Sequence, residues 1–363
     1  MTHEHIVSLH NLDYTTLEAL LIEWGEPSSH ARQVWEWLYR RLATDVDQMT
    51  TLPQTVRERL AAETAFYIPP VLARQEAPDG ETRKDILQLE DGEQIEVVLL
   101  RYRERRSGCI STQVGCACGC LFCATGQMGF VRQLSSEEII LQVLHLQREL
   151  AARRRQLSNI VLMGMGEPLL NYGHTLAAIQ RMIDHRALGF VQRRITLSTV
   201  GIVPGIERLI DENLQVNLAI SLHATTDALR SQLVPINRRY PLDDLFAAVK
   251  AYTVQTQRRV LFEWVMINGI NDTREQAEAL VARLAEMPAH VNLIRLNPTP
   301  DYDGRPSTTA AIEAFRAVLD RAHIPHTMRQ RRGGAIAAGC GQLRSPSRLG
   351  RAGRAWGGRL DTH

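Results

Sequence analysis

Beyond about residue 130 the sequence predicts an α/β fold with parallel strands, and three observations carry that prediction. Short, apolar, β-rich runs recur at 159–163, 194–199, 216–222, 260–267 and 291–296. Helical stretches at 135–154, 176–185, 204–212, 241–255, 274–286 and 308–322 alternate with them. Counting the strand that leads into a cysteine-rich loop near residue 109, the chain holds six strand–helix units. Such alternation argues for parallel strands joined by right-handed crossovers, and six units are too few for a full eight-fold barrel.

Taken in order, residues from about 13 to 65 read as a helical module. Apolar residues fall at Leu17, Leu20 and Leu21, a break follows at 25–27, and Ala31, Val34, Trp35, Leu38 and Tyr39 resume the helical spacing. Thr51, Leu52 and Pro53 open a third helix that runs through Leu60. On the residues alone this is a small helical bundle partly filled by Trp35 and Trp37. Residues 85–89 and 95–100 alternate apolar and polar side chains around Asp91–Gly92, the pattern of a β-hairpin. Glu96 lies inside the second of these strands, where a lone glutamate ordinarily faces solvent.

Five of the six cysteines fall within residues 109–123. Cys116, Cys120 and Cys123 form C-x3-C-x2-C, which lets one tight loop offer three soft thiolates to one inorganic centre. An iron–sulfur cluster held by three cysteines keeps an iron free of protein ligands. A zinc site completed by Cys109 or Cys118 is the alternative, although the second C-x2-C of a zinc ribbon is missing. The sixth cysteine, Cys340, stands between glycines in A-A-G-C-G-Q-L, a setting that leaves its sulfur approachable.

Polar residues and glycines cluster where the later strands end: Gly164, Gly166 and Glu167 in M-G-M-G-E-P, Ser198 in T-L-S-T, Ser221 and His223 in A-I-S-L-H, and Asn297 in L-N-P. Chemistry in βα barrels sits on that rim. Glycine-rich turns allow close ligand approach, and serine, asparagine and histidine can bind ribose and amino-acid groups.

The 363 residues, 44% hydrophobic and 23% charged, suit a globular protein of one large or two modest domains. No apolar run nears the roughly 18 residues of a membrane span, and the first residues lack the basic-then-apolar order of a signal peptide. A cytoplasmic chain without a membrane partner is expected, in a reducing compartment that keeps clustered cysteines available. Net charge is +2, but from Arg329 onward eight arginines face a single acid, a local +7 that a phosphate backbone would attract. A solvated tail in an arginine-rich chain is the plainer reading.

C-I-S-T-Q-V-G-C, F-C-A-T-G-Q-M-G-F and C-G-Q-L together resemble the RlmN/Cfr family of radical S-adenosylmethionine (SAM) RNA methyltransferases, and the resemblance runs from about residue 12 to Leu343. It implies a partial (β/α)6 barrel at 105–343, behind an RNA-gripping N-terminal helical domain at 1–80 and a β-hairpin linker at 81–104. A basic tail, 344–363, follows. The resemblance further implies one 4Fe-4S cluster on Cys116, Cys120 and Cys123. SAM, used twice per turnover, would contact Gly166, Glu167, Ser198, Ser221, Leu222, His223 and Asn297. Cys340 would carry the methyl group, Cys109 would resolve a protein–RNA intermediate through a transient disulfide with it, and Glu96 would accept a proton. The implied substrates are 23S rRNA and tRNA, methylated at adenine carbon 2, or at carbon 8 as in the Cfr branch. A flavodoxin-like electron donor and a monomeric enzyme are implied as well. A zinc-containing RNA-binding module without catalysis is the alternative from another class. The chain departs from the family pattern in G-G-A-I-A-A-G before Cys340 and in the additional Cys118.

Overall fold

The structure, a computed structural model, describes residues 7–344. The chain opens with β1 (Val7–Ser8), α1 (Tyr14–Glu23), α2 (Ser28–Tyr39), α3 (Gln54–Glu63) and β2 (Thr64–Ala65), which pairs in parallel with β1. Asp13 starts α1 by accepting the Thr16 amide at 2.7 Å, satisfying a donor the helix leaves free. Trp35 is buried in this module, whereas Trp37 lies at its edge with its indole nitrogen donating to Thr51.

Next come β3 (Val71–Glu76), β4 (Thr82–Gln88), β5 (Gln94–Arg101) and β6 (Arg106–Cys109). These four pair with one another antiparallel, so the expected hairpin is β4–β5 but not a free-standing linker. It forms the antiparallel flank of the main sheet. β3 falls in the stretch assigned to helices because V-L-A-R-Q-E, exposed at every position, carries no buried-face alternation.

After β7 (Gln113–Gly115), α4 (Ala124–Met128) and β8 (Phe130–Gln133), the rhythm expected from the sequence sets in. It runs α5 (Ser136–Ala151), β9 (Asn159–Leu162), α6 (Tyr172–Ile183), β10 (Ile195–Thr199), α7 (Val203–Asp211), β11 (Asn217–Ser221), α8 (Asp227–Leu233), α9 (Leu242–Thr256), β12 (Val260–Met266), α10 (Arg274–Leu284), β13 (Ala289–Arg295), α11 (Thr309–Arg321) and β14 (His326–Met328). Ser135 and Glu138 cap α5 reciprocally, fixing where it begins. The ten-stranded sheet has the order β14-β13-β12-β11-β10-β9-β6-β5-β4-β3, and every pairing from β6 to β14 is parallel. The six expected strands are therefore all present, and the short β14 adds a seventh. Strand interiors bury Phe262 and Trp264, the latter against Phe315 of α11, each such side chain contributing roughly 1.5–3 kcal/mol.

Two arginines from the barrel join the helical module to it. Arg148 of α5 donates to the carbonyls of Leu42 and Ala43 at 3.1 Å each, and Arg181 of α6 donates to the His10 carbonyl. The expected basic tail, 344–363, lies outside the described residues apart from Arg344. The arginines that open the basic end are not a tail. Arg329 and Arg331 line cavities, and Arg332 stacks on Tyr102 while donating to the Arg101 carbonyl at 3.0 Å.

Candidate active site

The cysteine loop is closed by glycines. Gly115 has φ +74°, and a Cβ there would lie 2.0 Å from the Gly129 carbonyl oxygen, so only glycine lets β7 and β8 meet across the loop. The Cys116 amide donates to that carbonyl at 2.9 Å and the Cys123 amide to the Cys120 carbonyl at 3.2 Å, which draws the three thiols of C-x3-C-x2-C into mutual electrostatic reach. Burial pushes the Cys120 and Cys123 thiols up, and neighbouring cysteines add to it. Neutral thiols therefore prevail there unless a metal takes the proton's place. A hydrogen bond with Cys116, and burial after it, push the Cys118 thiol well up. Among the described residues no three His, Cys, Asp or Glu side chains are gathered so as to hold a single ion. A cluster asks less of them, because each thiolate meets its own iron, and a soft all-sulfur donor set fits that group.

Beside these thiols opens a cavity of about 930 Å³, partly continuous with solvent. Cys120, Cys123, Gly166, Glu167, Ser198, Ser221, His223, Asn297 and Cys340 all line it, bringing together residues from the ends of five strands and the chain's last described segment. Glu167 is fully enclosed: its carboxylate accepts the amides of Val200 at 2.8 Å and Leu169 at 3.0 Å, and burial pushes its pKa up to about 7. Gly166 has φ +101° and would drive a Cβ into Gln113, whose side-chain oxygen accepts the Glu167 amide at 2.8 Å. His223 adopts φ +63°, accepts the Val265 amide on Nδ1 at 3.1 Å and meets Phe122 edge-on at 4.9 Å. Burial lowers its pKa to about 3, so its ring is neutral at working pH.

A second cavity, about 680 Å³, lies alongside and is lined by Cys109, Val98, Leu100 and Tyr102. Cys340, Arg329 and Asn297 border both. Cys109 ends β6, and burial pushes its thiol up to about 12, with the nearby Cys340 adding to the shift.

Two expected residues sit elsewhere. The Leu222 side chain is buried in the hydrophobic core and borders neither cavity; at the rim it contributes backbone, its carbonyl accepting from Arg230 at 3.0 Å. Glu96 does not face solvent as a lone strand glutamate ordinarily does. It is 1% exposed, paired with Lys84 at 3.1 Å, and accepts the Arg344 amide at 3.1 Å. Burial raises its pKa, a shift that Lys84 opposes. It lies one alternation from Val98 along β5, on the strand face turned to the second cavity.

Glu263 and Arg329 went unsingled by sequence reasoning. Glu263 interrupts the apolar run V-L-F-E-W-V-M of β12, a visible signal. It lines the first cavity, accepts Asn292 Nδ2 at 2.8 Å and faces Arg329 at 3.6 Å, and burial raises its pKa even so. Arg329 was hidden in the basic end, and nothing local separates it from its neighbours. Its charge is reinforced foremost by Cys340, and its guanidinium also approaches the Met163 sulfur at 3.8 Å.

Known proteins resemble this chain in sequence and overall fold. The profile of the Radical SAM superfamily matches residues 110–281, and that of the ribosomal RNA large subunit methyltransferase N-terminal domain matches residues 7–66. A protein of Myxococcus xanthus named dual-specificity RNA methyltransferase RlmN 1 is 48% identical, over 95% of this chain and 96% of its own. A probable dual-specificity RNA methyltransferase RlmN of Moorella thermoacetica is also 48% identical, over 94% of this chain and 98% of its own. The crystal structure of a radical SAM methyltransferase from Sphaerobacter thermophilus superposes with a TM-score of 0.90 at 45% identity, covering 93% of this chain and 99% of that one.

Proposed function

Because the chain belongs to the RlmN family of radical SAM RNA methyltransferases, we propose that it methylates carbon 2 of an adenine in 23S rRNA and in tRNA. What supports this reading above all is Cys340, a single thiol bordering both the cavity shared with the cysteine loop and the cavity shared with Cys109. A methyl carrier must serve a donor on one side and an acceptor base on the other.

The family's chemistry uses SAM and a 4Fe-4S cluster. In this reading Cys116, Cys120 and Cys123 hold the cluster, and Gly166, Glu167, Ser198, Ser221, His223, Asn297 and the backbone at Leu222 surround SAM. When bound, these groups supply a methyl group and the one-electron chemistry that activates it, SAM being consumed twice per turnover. The protein's own part is nucleophilic and positional. The Cys340 thiolate attacks the methyl carbon, and the departing sulfonium sulfur keeps the bonding electrons. Adenine carbon 2, flanked by two ring nitrogens, is too electron-poor for direct polar methylation, so the carbon bond would be made from the methyl on Cys340 after it gives up one hydrogen atom to the one-electron chemistry those groups would supply, and the odd electron left on the ring would return to the same source. The Cys109 thiolate then attacks the Cys340 sulfur, breaking its bond to the new carbon, which keeps the electron pair and takes a proton. Glu96 or Cys109 receives the proton that the ring loses. Arg329, near both thiols, opposes the upward push of burial on Cys109.

The same reading assigns RNA binding to the helices within 1–80 and catalysis to the core at 105–343, whose sheet the hairpin at 81–104 extends, in a cytoplasmic monomer served by a flavodoxin-like donor. The deciding test is mass spectrometry of adenosines from 23S rRNA and tRNA incubated with reconstituted protein, SAM and a reductant. Methyl at carbon 2 is expected, whereas methyl at carbon 8 would move the chain to the Cfr branch. Anaerobic protein should hold about four irons and four sulfides per chain. Bound zinc without sulfide would refute the radical reading.

A further inference from the structure

The segment that carries Cys340 is a strap between two anchorages. On one side the Ala124 amide donates to the Gly341 carbonyl at 2.7 Å and the Thr125 hydroxyl to the Leu343 carbonyl at 2.6 Å, immediately after Cys123. Asn297 donates to the Cys340 carbonyl at 3.1 Å and Gln342 to the Pro298 carbonyl at 3.0 Å. On the other side the strap rests on the β4–β5 hairpin. Arg332 reaches Glu81 at 2.5 Å, and a Cβ on Gly333 would press within 2.9 Å of Thr82. Beneath it lies a buried ion pair whose two members hold the strap on either side of the cysteine. The Lys84 ammonium donates to the Ala337 carbonyl at 3.1 Å, and the Glu96 carboxylate accepts the Arg344 amide at 3.1 Å. Lys84 and Glu96 are 3.1 Å apart, with side chains only 7% and 2% exposed.

This arrangement is costly to build. Two charges are taken out of water, and a buried pair of this kind often adds little to stability compared with apolar residues of the same size. What it does supply is specificity of position, because ammonium and carboxylate each spend a remaining hydrogen bond on the strap. The chain has only two lysines among its 42 basic residues, and one stands here. A compact ammonium can donate to a carboxylate and a carbonyl at once from a narrow site, where a planar guanidinium needs a wider fork.

We propose that Lys84 is a positioning residue for Cys340, which with Glu96 clasps the strap at Ala337 and Arg344 and holds the thiol at the junction of the two cavities. The proposal rests on the reading of Cys340 as methyl carrier. It also gives Glu96 a second task, since a carboxylate that takes the ring proton would at the same moment slacken its hold on Lys84 and on the Arg344 amide.

The test is Lys84→Met, which keeps the side-chain stem and removes the ammonium. Amide exchange at Ala338 and Arg344 should accelerate by roughly a hundredfold to a thousandfold, the scale expected when one partner of a buried pair is lost. Exchange at Leu218 and Phe262 in the sheet should stay as in the wild type. Methylation of Cys340 at saturating SAM, followed by intact mass, should slow, and Lys84→Arg should recover part of both effects. Unchanged strap exchange in folded Lys84→Met would overturn the proposal, as would equal acceleration throughout the sheet. Should that variant not fold, Glu96→Gln, which keeps the size and the acceptor for Arg344 but breaks the pair, must show the same selective loosening. A wild-type Cys340 that never gains a methyl group would sink the methyl-carrier reading, an outcome separate from strap exchange.

Discussion

Cys109 and Cys340 border one cavity, yet their surroundings differ: burial pushes the Cys109 thiol up to about 12, while Cys340 is exposed on a glycine-flanked turn. A raised thiol pKa means that the proton stays on, so at neutral pH Cys109 is a poor nucleophile until a partner is brought to it. The two therefore suit different moments of a reaction. Cys340→Ala should abolish both protein methylation and product while leaving iron content intact. Cys109→Ala should still methylate Cys340 and then accumulate RNA attached covalently through it, visible as a shifted band in denaturing gels. Normal turnover by Cys109→Ala, or methyl delivery by Cys340→Ala, would contradict the assigned roles. These cysteines were legible because their spacing and flanking glycines are local. Arg329 and the Lys84–Glu96 pair were not: Lys84 and Arg344 meet through Glu96 only once hairpin and strap have folded together. Burial of Glu96 is likewise a product of the strap lying over it, so strand periodicity alone could only suggest a solvent-facing glutamate.

At the level of elements, the rim depends on how closely β6 approaches the turn after β9. Gly164 is tightly enclosed: a Cβ there would come within 2.6 Å of the Ile110 carbonyl group and 2.7 Å of the Ser111 hydroxyl. That hydroxyl donates to the Glu96 carbonyl and accepts the Met165 amide, both at 2.9 Å, so one side chain ties β5 and β6 to the loop bearing Gly166 and Glu167. Gly164→Ala must push this backbone apart, and overpacking of this kind costs about 1–3 kcal/mol. SAM binding should weaken by more, in kcal/mol, than the fold is destabilised, with affinity measured by equilibrium dialysis and stability derived from a thermal scan. Equal affinity in variant and wild type would show that the rim tolerates the shift. The helices and central strands of this layer could be read in sequence because caps such as Ser135 and apolar runs such as V-L-F-E-W-V-M are strong local signals. The strands β3 and β14 could not. One is an exposed edge, the other three residues long, and both owe their strand geometry to a neighbour's free hydrogen-bonding edge.

Over the whole molecule, the helical module and the sheet domain meet at a joint that holds several charged side chains, buried or half-buried. Arg148 and Arg181 enter it from α5 and α6, Arg181 packs near Trp35 and Tyr39, and Glu137 bonds Ser8 at its edge. Between the two arginines lies His10, wholly buried against Phe66 and Tyr39, with neither ring nitrogen hydrogen-bonded. Burial first, then the charges of Arg148 and Arg181, lower its pKa from 6.5 to about 3. Between those values the unfolded chain binds a proton that the folded joint refuses, so stability is complete above about pH 6.5 and is lost as pH falls towards 3. At about pH 5 this single residue should cost on the order of 2 kcal/mol relative to neutral pH. His10→Phe keeps the edge-on ring contacts without a titrating group, so its stability should fall less between about pH 7 and pH 5. Urea unfolding at the two pH values measures the difference. The same acid shift in variant and wild type would show that His10 is protonated without penalty. If the effect is confined to the joint, proteolysis at low pH should cut the wild type first between the module and β3, releasing a barrel whose sheet is still folded.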